Sequence, residues 1–283
     1  MKKMLLVKVG LLIITLFKLF GSEAYSLQGL NSLTFTHRCH QISLRSTKAH
    51  FMNMNQHSGD SDNVEPIDSN MQQTYNELER YLRDKLQTKS SGQYWVGIAG
   101  PPASGKSTIA QKVCHLLNRD IPSIVIPMDG YHYYRHELDK MPDPVEAHRR
   151  RGAPWTFDAS KFTNDLKEAR QAGKGSFPSF DHGVGDPVQS AIELKDYHQI
   201  ILVEGNYLML SNDPAWKDIR SLFDETWFVR CDVDVIRERI IKRHIQTGKP
   251  EDVAIFRANY NDVPNAELIL SSFEQADKII QSL

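Results

Sequence analysis

Cysteine is scarce in this sequence, with three in 283 residues, Cys39, Cys114 and Cys231. An odd, widely spaced trio builds no disulfide framework and points to a mature protein that lives among reduced thiols. Excess charge of either sign is missing too. Thirty-four Lys and Arg stand against 35 Asp and Glu, a net charge of −1, so no whole-chain field argues for binding nucleic acid. Neither His132 nor His182 has metal-ligand spacing, which speaks against zinc. No internal repeat is visible. The apolar run Val9–Phe17 falls well short of the roughly 20 residues that cross a bilayer, so no stable membrane anchor is expected in the mature protein.

That run has a different reading. Met1-Lys2-Lys3 precedes it and Ser22-Glu23-Ala24 supplies small residues for cleavage, the pattern of a signal peptide over residues 1–24. From Ala24 to Gly59 the chain has no acidic residue and is rich in Ser, Thr, His and Asn, as transit peptides are. A polar, acidic linker, Gly59–Ser69, follows. A transit-like segment and linker over 25–71 behind a signal peptide matches the two-part address of plastids acquired by secondary endosymbiosis. A plastid is the expected location, with the secretory pathway, mitochondrion and cytosol as alternatives.

The folded part is expected over residues 72–283. Thr74–Gln87 repeats Tyr75, Leu78, Tyr81, Leu82 and Leu86 at helical spacing, which predicts an amphipathic helix on the domain edge. Beyond it, apolar segments alternate with helical ones. Strands are predicted at Trp95–Ala99, Ser123–Met128, His198–Val203, Glu225–Arg230 and Leu268–Ser271. Helices are predicted at Ser107–Leu117, Ala159–Ala172, Pro214–Phe223 and Val233–Thr247, with a shorter one at Glu251–Asn259. This alternation implies an α/β fold, a three-layer α/β/α sandwich around a mostly parallel sheet. Ligands in such folds bind beyond the C-terminal ends of the strands.

The decisive segment is Gly100-Pro101-Pro102-Ala103-Ser104-Gly105-Lys106-Ser107-Thr108. It satisfies G-x-x-x-x-G-K-[ST], the P-loop, between a predicted strand and a predicted helix. Glycines let main-chain N–H groups turn inward around an anion, and the helix start adds its positive end. Lys106 would reach the β- and γ-phosphates of ATP, and the Ser107 hydroxyl would ligate Mg²⁺.

Acidic residues end two predicted strands, Asp129 after Ile124–Met128 and Glu204 after Ile200–Val203. Both strands read as central, which aims both carboxylates at the P-loop. One can hold Mg²⁺ and the other can accept a proton from an attacking hydroxyl. Arg239 and Arg243 share a helical face at i, i+4. With the flexible Thr247–Pro250 behind them, they predict a small helical lid whose arginines neutralise phosphate charge. Acceptor-side candidates come from three strings, Asp129–Tyr134, Arg149–Asp158 and Phe177–His182. They are Tyr131, Arg150, Arg151, Asp158, Asp181 and His182.

The order of these motifs resembles the phosphoribulokinase, uridine kinase and pantothenate kinase superfamily, specifically its nucleoside/nucleotide-kinase-like branch. GPPASGKST, DGY at 129–131, RRGAPWTFD at 150–158, FPSFDH at 177–182, VEGNYL at 203–208 and RERIIKRH at 237–244 carry the likeness over about residues 92–272. The resemblance implies transfer of the γ-phosphoryl group of ATP to a small-molecule hydroxyl. It makes Asp129 the base, Glu204 the metal-supporting acid, and Arg239 and Arg243 lid arginines. It also puts Asn261-Asp262 and Asn265 near the adenine and makes a homodimer plausible. The FDHP run of uridine kinases is absent, and RRGAPWTFD looks more like a run of bacterial pantothenate kinases. The acceptor stays open among a nucleoside, pantothenate and a sugar-like molecule. The alternative is a nucleotide-binding interaction protein or NTPase switch, although the guanine-reading Asn-Lys-x-Asp string is absent.

Overall fold

A computed structural model describes residues 67–181 and 183–282. The signal-peptide segment and nearly all of the transit-like segment lie outside the described residues, as does His182. The expected linker ends earlier than its composition suggested, because helix α1, Ile67–Thr88, already occupies its last residues.

Five parallel strands form the central sheet: β1 (Tyr94–Ala99), β2 (Ser123–Pro127), β5 (Ile200–Gly205), β6 (Glu225–Arg230) and β7 (Lys278–Gln281), in the order β2-β5-β1-β6-β7. Alternate side chains of each strand go to opposite faces. Tyr94, Val96 and Ile98 with Ile200 and Leu202 pack against α1 and α2 (Lys106–Leu117), through Leu82, Ile109, Val113 and Leu117. Trp95 and Ala99 with Ile201 and Val203 face the opposite layer, which holds Phe162 and Leu166 of a helix at Ala159–Ala172 together with Tyr207 and Trp216. The three layers are those the alternation predicted.

Between them the chain forms α3 (Arg135–Leu138), α4 (Pro144–Arg149), α5 (Ala159–Ala172) and an antiparallel hairpin, β3 (Gly175–Asp181) with β4 (Asp186–Leu194). After β6 come α6 (Val233–Gln246), α7 (Glu251–Arg257), a π-helical turn Ala258–Asp262 and α8 (Val263–Leu270).

The structure corrects three readings. Leu268–Ser271 is the end of α8 rather than a strand, since its apolar residues continue a helical period. The last strand is instead Lys278–Gln281, four residues too short to announce itself. Pro214–Phe223 contains only the 3₁₀ turn Ile219–Leu222, where Trp216 and Ile219 drop into the core without a helical stripe. Strand β2 is an edge of the sheet, not central. Its apolar run reflects the layers above and below it.

Helix α1 is tied to the sheet by a buried carboxylate. Glu225 accepts hydrogen bonds from the Tyr94 hydroxyl (2.8 Å), the Trp227 indole (2.8 Å) and, from α1, the Tyr81 hydroxyl (3.0 Å). The Glu225→Ala variant strands three donors, two of them on buried residues, which should cost about 3 kcal/mol and lower Tm by several degrees. Tyr81→Phe, which strands nothing, should cost about 1 kcal/mol. Thermal melts of both variants check this, and equal losses would contradict the ranking.

Candidate active site

The site is set by sheet register. Glu204 lies directly beside Ile98 of β1 and Pro127 of β2. One neighbour runs two residues on into the P-loop, and the other two residues on to Asp129. Strand parity sends the Glu204 side chain to the face shared with Ile200 and Leu202, where α2 packs. Backbone geometry alone therefore gathers the P-loop helix and both acidic positions at one end of the sheet.

Gly105 caps α2 at φ 90°, in the left-handed region glycine tolerates, and no side chain caps this helix. The first-turn amides of α2 are thus available to an anion. Ala103 also has positive φ (60°), and the buried Ser104 hydroxyl has no hydrogen-bond partner among the described residues. This cradle fits a phosphate chain.

Glu204 is buried, and its carboxyl is pushed above the usual carboxylate range, first because burial strips its hydration and also because Asp129 repels its charge. Lys106 and the Ser107 side chain, within hydrogen-bonding reach, act in the opposite direction. Lys106, Ser107, Asp129 and Glu204 therefore form one electrostatic unit. Tyr207 belongs to it as well. Its hydroxyl donates to the Gly152 carbonyl, and its pKa is raised by burial and then by Asp129. The string VEGNYL contained Tyr207, but nothing in its spacing distinguished it from a core aromatic.

Asp129 sits in a 3₁₀ turn, Met128–Tyr131, after β2. The next residue, Gly130, lets the hairpin approach this turn closely. A Cβ there would stand 2.2 Å from the Pro178 carbonyl oxygen.

The remaining predicted residues separate. Arg239 reaches the P-loop from outside, donating to the Ala103 carbonyl (3.3 Å) and the Ser282 hydroxyl (3.1 Å). Arg243 is exposed. Tyr131, expected on the acceptor side, is core. Its ring packs on Phe162 and its hydroxyl donates to Asp165 at 2.8 Å, because the 3₁₀ turn points it at α5. Asp158 caps α5 by accepting from the Lys161 amide (2.8 Å). Arg150 donates to the Tyr260 carbonyl (2.7 Å). Arg151 donates to the Gly185 and Tyr133 carbonyls and pairs with Asp186 (2.9 Å). Asp181 ends β3, in register with Asp186. Asn261 donates to the Arg151 carbonyl (2.9 Å), Asn265 donates to Asn261, and Asp262 pairs with His244 (3.0 Å). Asn261 and Asn265 thus tie the lid region to the Arg150–Arg151 loop, while Asp262 stays within the lid region.

The model of the phosphoribulokinase/uridine kinase family matches residues 95–283, from the first strand to the end of the chain. The protein belongs to this family. Among its relatives is a Schizosaccharomyces pombe protein provisionally named a uridine kinase, 36% identical over 217 residues, which cover 74% of this chain and 91% of the relative. An ATP-dependent kinase-like protein of Aspergillus versicolor is 36% identical over 160 residues, 55% of this chain and 88% of that protein. Among solved structures, one from a Silicibacter species, provisionally named a fructose transport system kinase, superposes with TM-score 0.67 at 28% identity, covering 73% of this chain and 98% of the other. As a member of the phosphoribulokinase/uridine kinase family, the protein is a P-loop kinase with an ATP-binding loop.

Proposed function

We propose that this kinase transfers the γ-phosphoryl group of ATP to a hydroxyl of a small metabolite, a nucleoside, pantothenate or sugar-like molecule. The observation that carries the reading is the convergence of Lys106, Ser107, Asp129 and Glu204 at the strand ends. The P-loop amides and Lys106 hold the β- and γ-phosphates. Asp129 takes the proton as the acceptor oxygen bonds to the γ-phosphorus and the bond to ADP breaks. Catalysis is then largely positioning and charge neutralisation. A cavity of about 470 Å³ lined by Arg230, Cys231, Asp232, Leu270, Phe273 and Gln281 adjoins the loop through Arg239 and offers a seat for the base.

Glu204 and Ser107 fit a divalent cation. Among the described residues there is no cluster of three His, Cys, Asp or Glu. That suits Mg²⁺, which keeps waters and substrate phosphates and needs few protein ligands. Bound there, it would neutralise charge on the phosphates.

A pH dependence follows. A carboxyl whose folded pKa is raised protonates earlier as pH falls, and only its ionised form ligates metal. Ionised Glu204 is also a cost to folding that is relieved as pH drops through the folded pKa. The Mg²⁺ concentration giving half-maximal rate should therefore rise as pH is lowered toward the folded pKa of Glu204, beginning at a higher pH than an ordinary carboxylate would give. A requirement that stays flat down to the usual carboxylate range would remove Glu204 from the ligand set.

The reading itself is tested by coupled ADP release with the full-length chain across panels of nucleosides, vitamins and sugars. Acceptor-dependent release is expected. None across a broad panel would favour a nucleotide-binding interaction protein.

A further inference from the structure

The three acceptor-side strings, unconnected in sequence, meet in one column of ring contacts. The Phe157 ring, from the Arg149–Asp158 loop, lies 3.9 Å from the ring of His132, which follows the Asp129 turn. The ring of Phe180 of β3 also contacts His132, at 4.7 Å. The guanidinium of Arg151 covers Phe180 at 5.6 Å. Phe157 is anchored edge-on to the buried rings of Tyr207 and Trp216, so the column runs from the core to the hairpin. Arg151 fixes its outer end through Gly185 and Asp186.

Within this column His132 makes a directional contact to the reaction centre. Its Nδ1 lies 2.8 Å from the main-chain oxygen of Asp129, which also receives the His132 amide at 3.2 Å. A carbonyl only accepts, so Nδ1 carries the proton and donates it. Two donors from one residue thus pin the peptide group of Asp129. The extended bridge between His132 and Phe157 holds the histidine backbone in turn.

We propose that His132 is a positioning residue: held by Phe157 and Phe180, it fixes the Asp129 peptide and thereby the aim of the Asp129 carboxylate at the acceptor hydroxyl. The inference rests on Asp129 as proton acceptor. Misplacing a reacting group by about an ångström costs up to roughly a hundredfold in rate.

Two variants of the full-length chain separate donor from ring. His132→Asn keeps an N–H at the δ position without the ring, and His132→Phe keeps a ring without the donor. His132→Phe should lower kcat by about ten- to a hundredfold with KM for ATP unchanged, and His132→Asn should stay within about threefold of wild type. Added to Asp129→Asn, His132→Phe should cost nothing more, because it acts through a group already removed. Wild-type kcat in His132→Phe, or an equal loss in both single variants, would overturn the role. Long-range ¹H–¹⁵N spectra of the wild-type histidine rings give a readout independent of turnover and of variant folding. A His132 protonated at Nδ1 is expected, and one protonated only at Nε2 would overturn the hydrogen bond. Should wild type phosphorylate no acceptor, the reading of Asp129 fails while the spectra still decide the His132 contact.

Discussion

The Asp129→Asn variant should bind ATP like wild type and lose turnover by about a thousandfold, within the range a positioned general base supplies. Asparagine preserves the shape of the side chain and removes only its capacity to accept a proton. The nearby carboxylate of Glu204 responds in the helpful direction. Asp129 is one of the charges that raise the Glu204 pKa, so its neutralisation favours ionised Glu204 and leaves the cation site at least as competent. A lost rate therefore cannot be traced to lost metal. Calorimetric titration with ATP beside single-turnover phosphoryl transfer separates the two quantities. Turnover near wild type would take Asp129 out of the base role.

Lys106→Met should be hit twice. The ammonium that would face the β- and γ-phosphates is gone, which by itself costs about a hundred- to a thousandfold where charge develops in a water-poor site. Lys106 is also the main group that draws the Glu204 pKa down against burial. Without it the carboxyl protonates at still higher pH, and metal affinity falls with it. The residual activity of Lys106→Met should accordingly recover toward alkaline pH more steeply than that of wild type. Rate profiles at a fixed, sub-saturating Mg²⁺ concentration check this. A residual rate with the wild-type pH profile would mean that Lys106 does not govern Glu204.

The sequence carried the site further than it carried the fold's periphery, for physical reasons. A P-loop needs fixed residue types at fixed spacing, so Gly100–Ser107 was legible without neighbours. Glu204 and Asp129 were legible because acidic residues ending apolar strands stand out against the runs before them. Edge status was not legible, because β2 is covered on both faces and lacks a neighbour only in the plane of the sheet. Tyr131 and His132 show the finer limit. Adjacent in one string, they are sent to opposite fates by a single 3₁₀ turn, one into the core against Asp165 and the other onto the Asp129 peptide. Arg239 was read with Arg243 as a lid arginine from their shared helical face, yet its carbonyl and hydroxyl partners come from the P-loop and the far end of the chain. No local pattern encodes such contacts.

Among the described residues, strands β3 and β4 pair only with each other and share no ladder with the five-stranded sheet. The spacing between the P-loop strand and the strand leading to Asp129, two steps of about 4.8 Å, is meanwhile dictated by main-chain pairing. The hairpin and the phosphate-handling end thus stand on separate foundations. On the proposed function, mutation could remodel the hairpin while the phosphate-handling end keeps its dimensions, so that one scaffold could diversify without relearning its reaction.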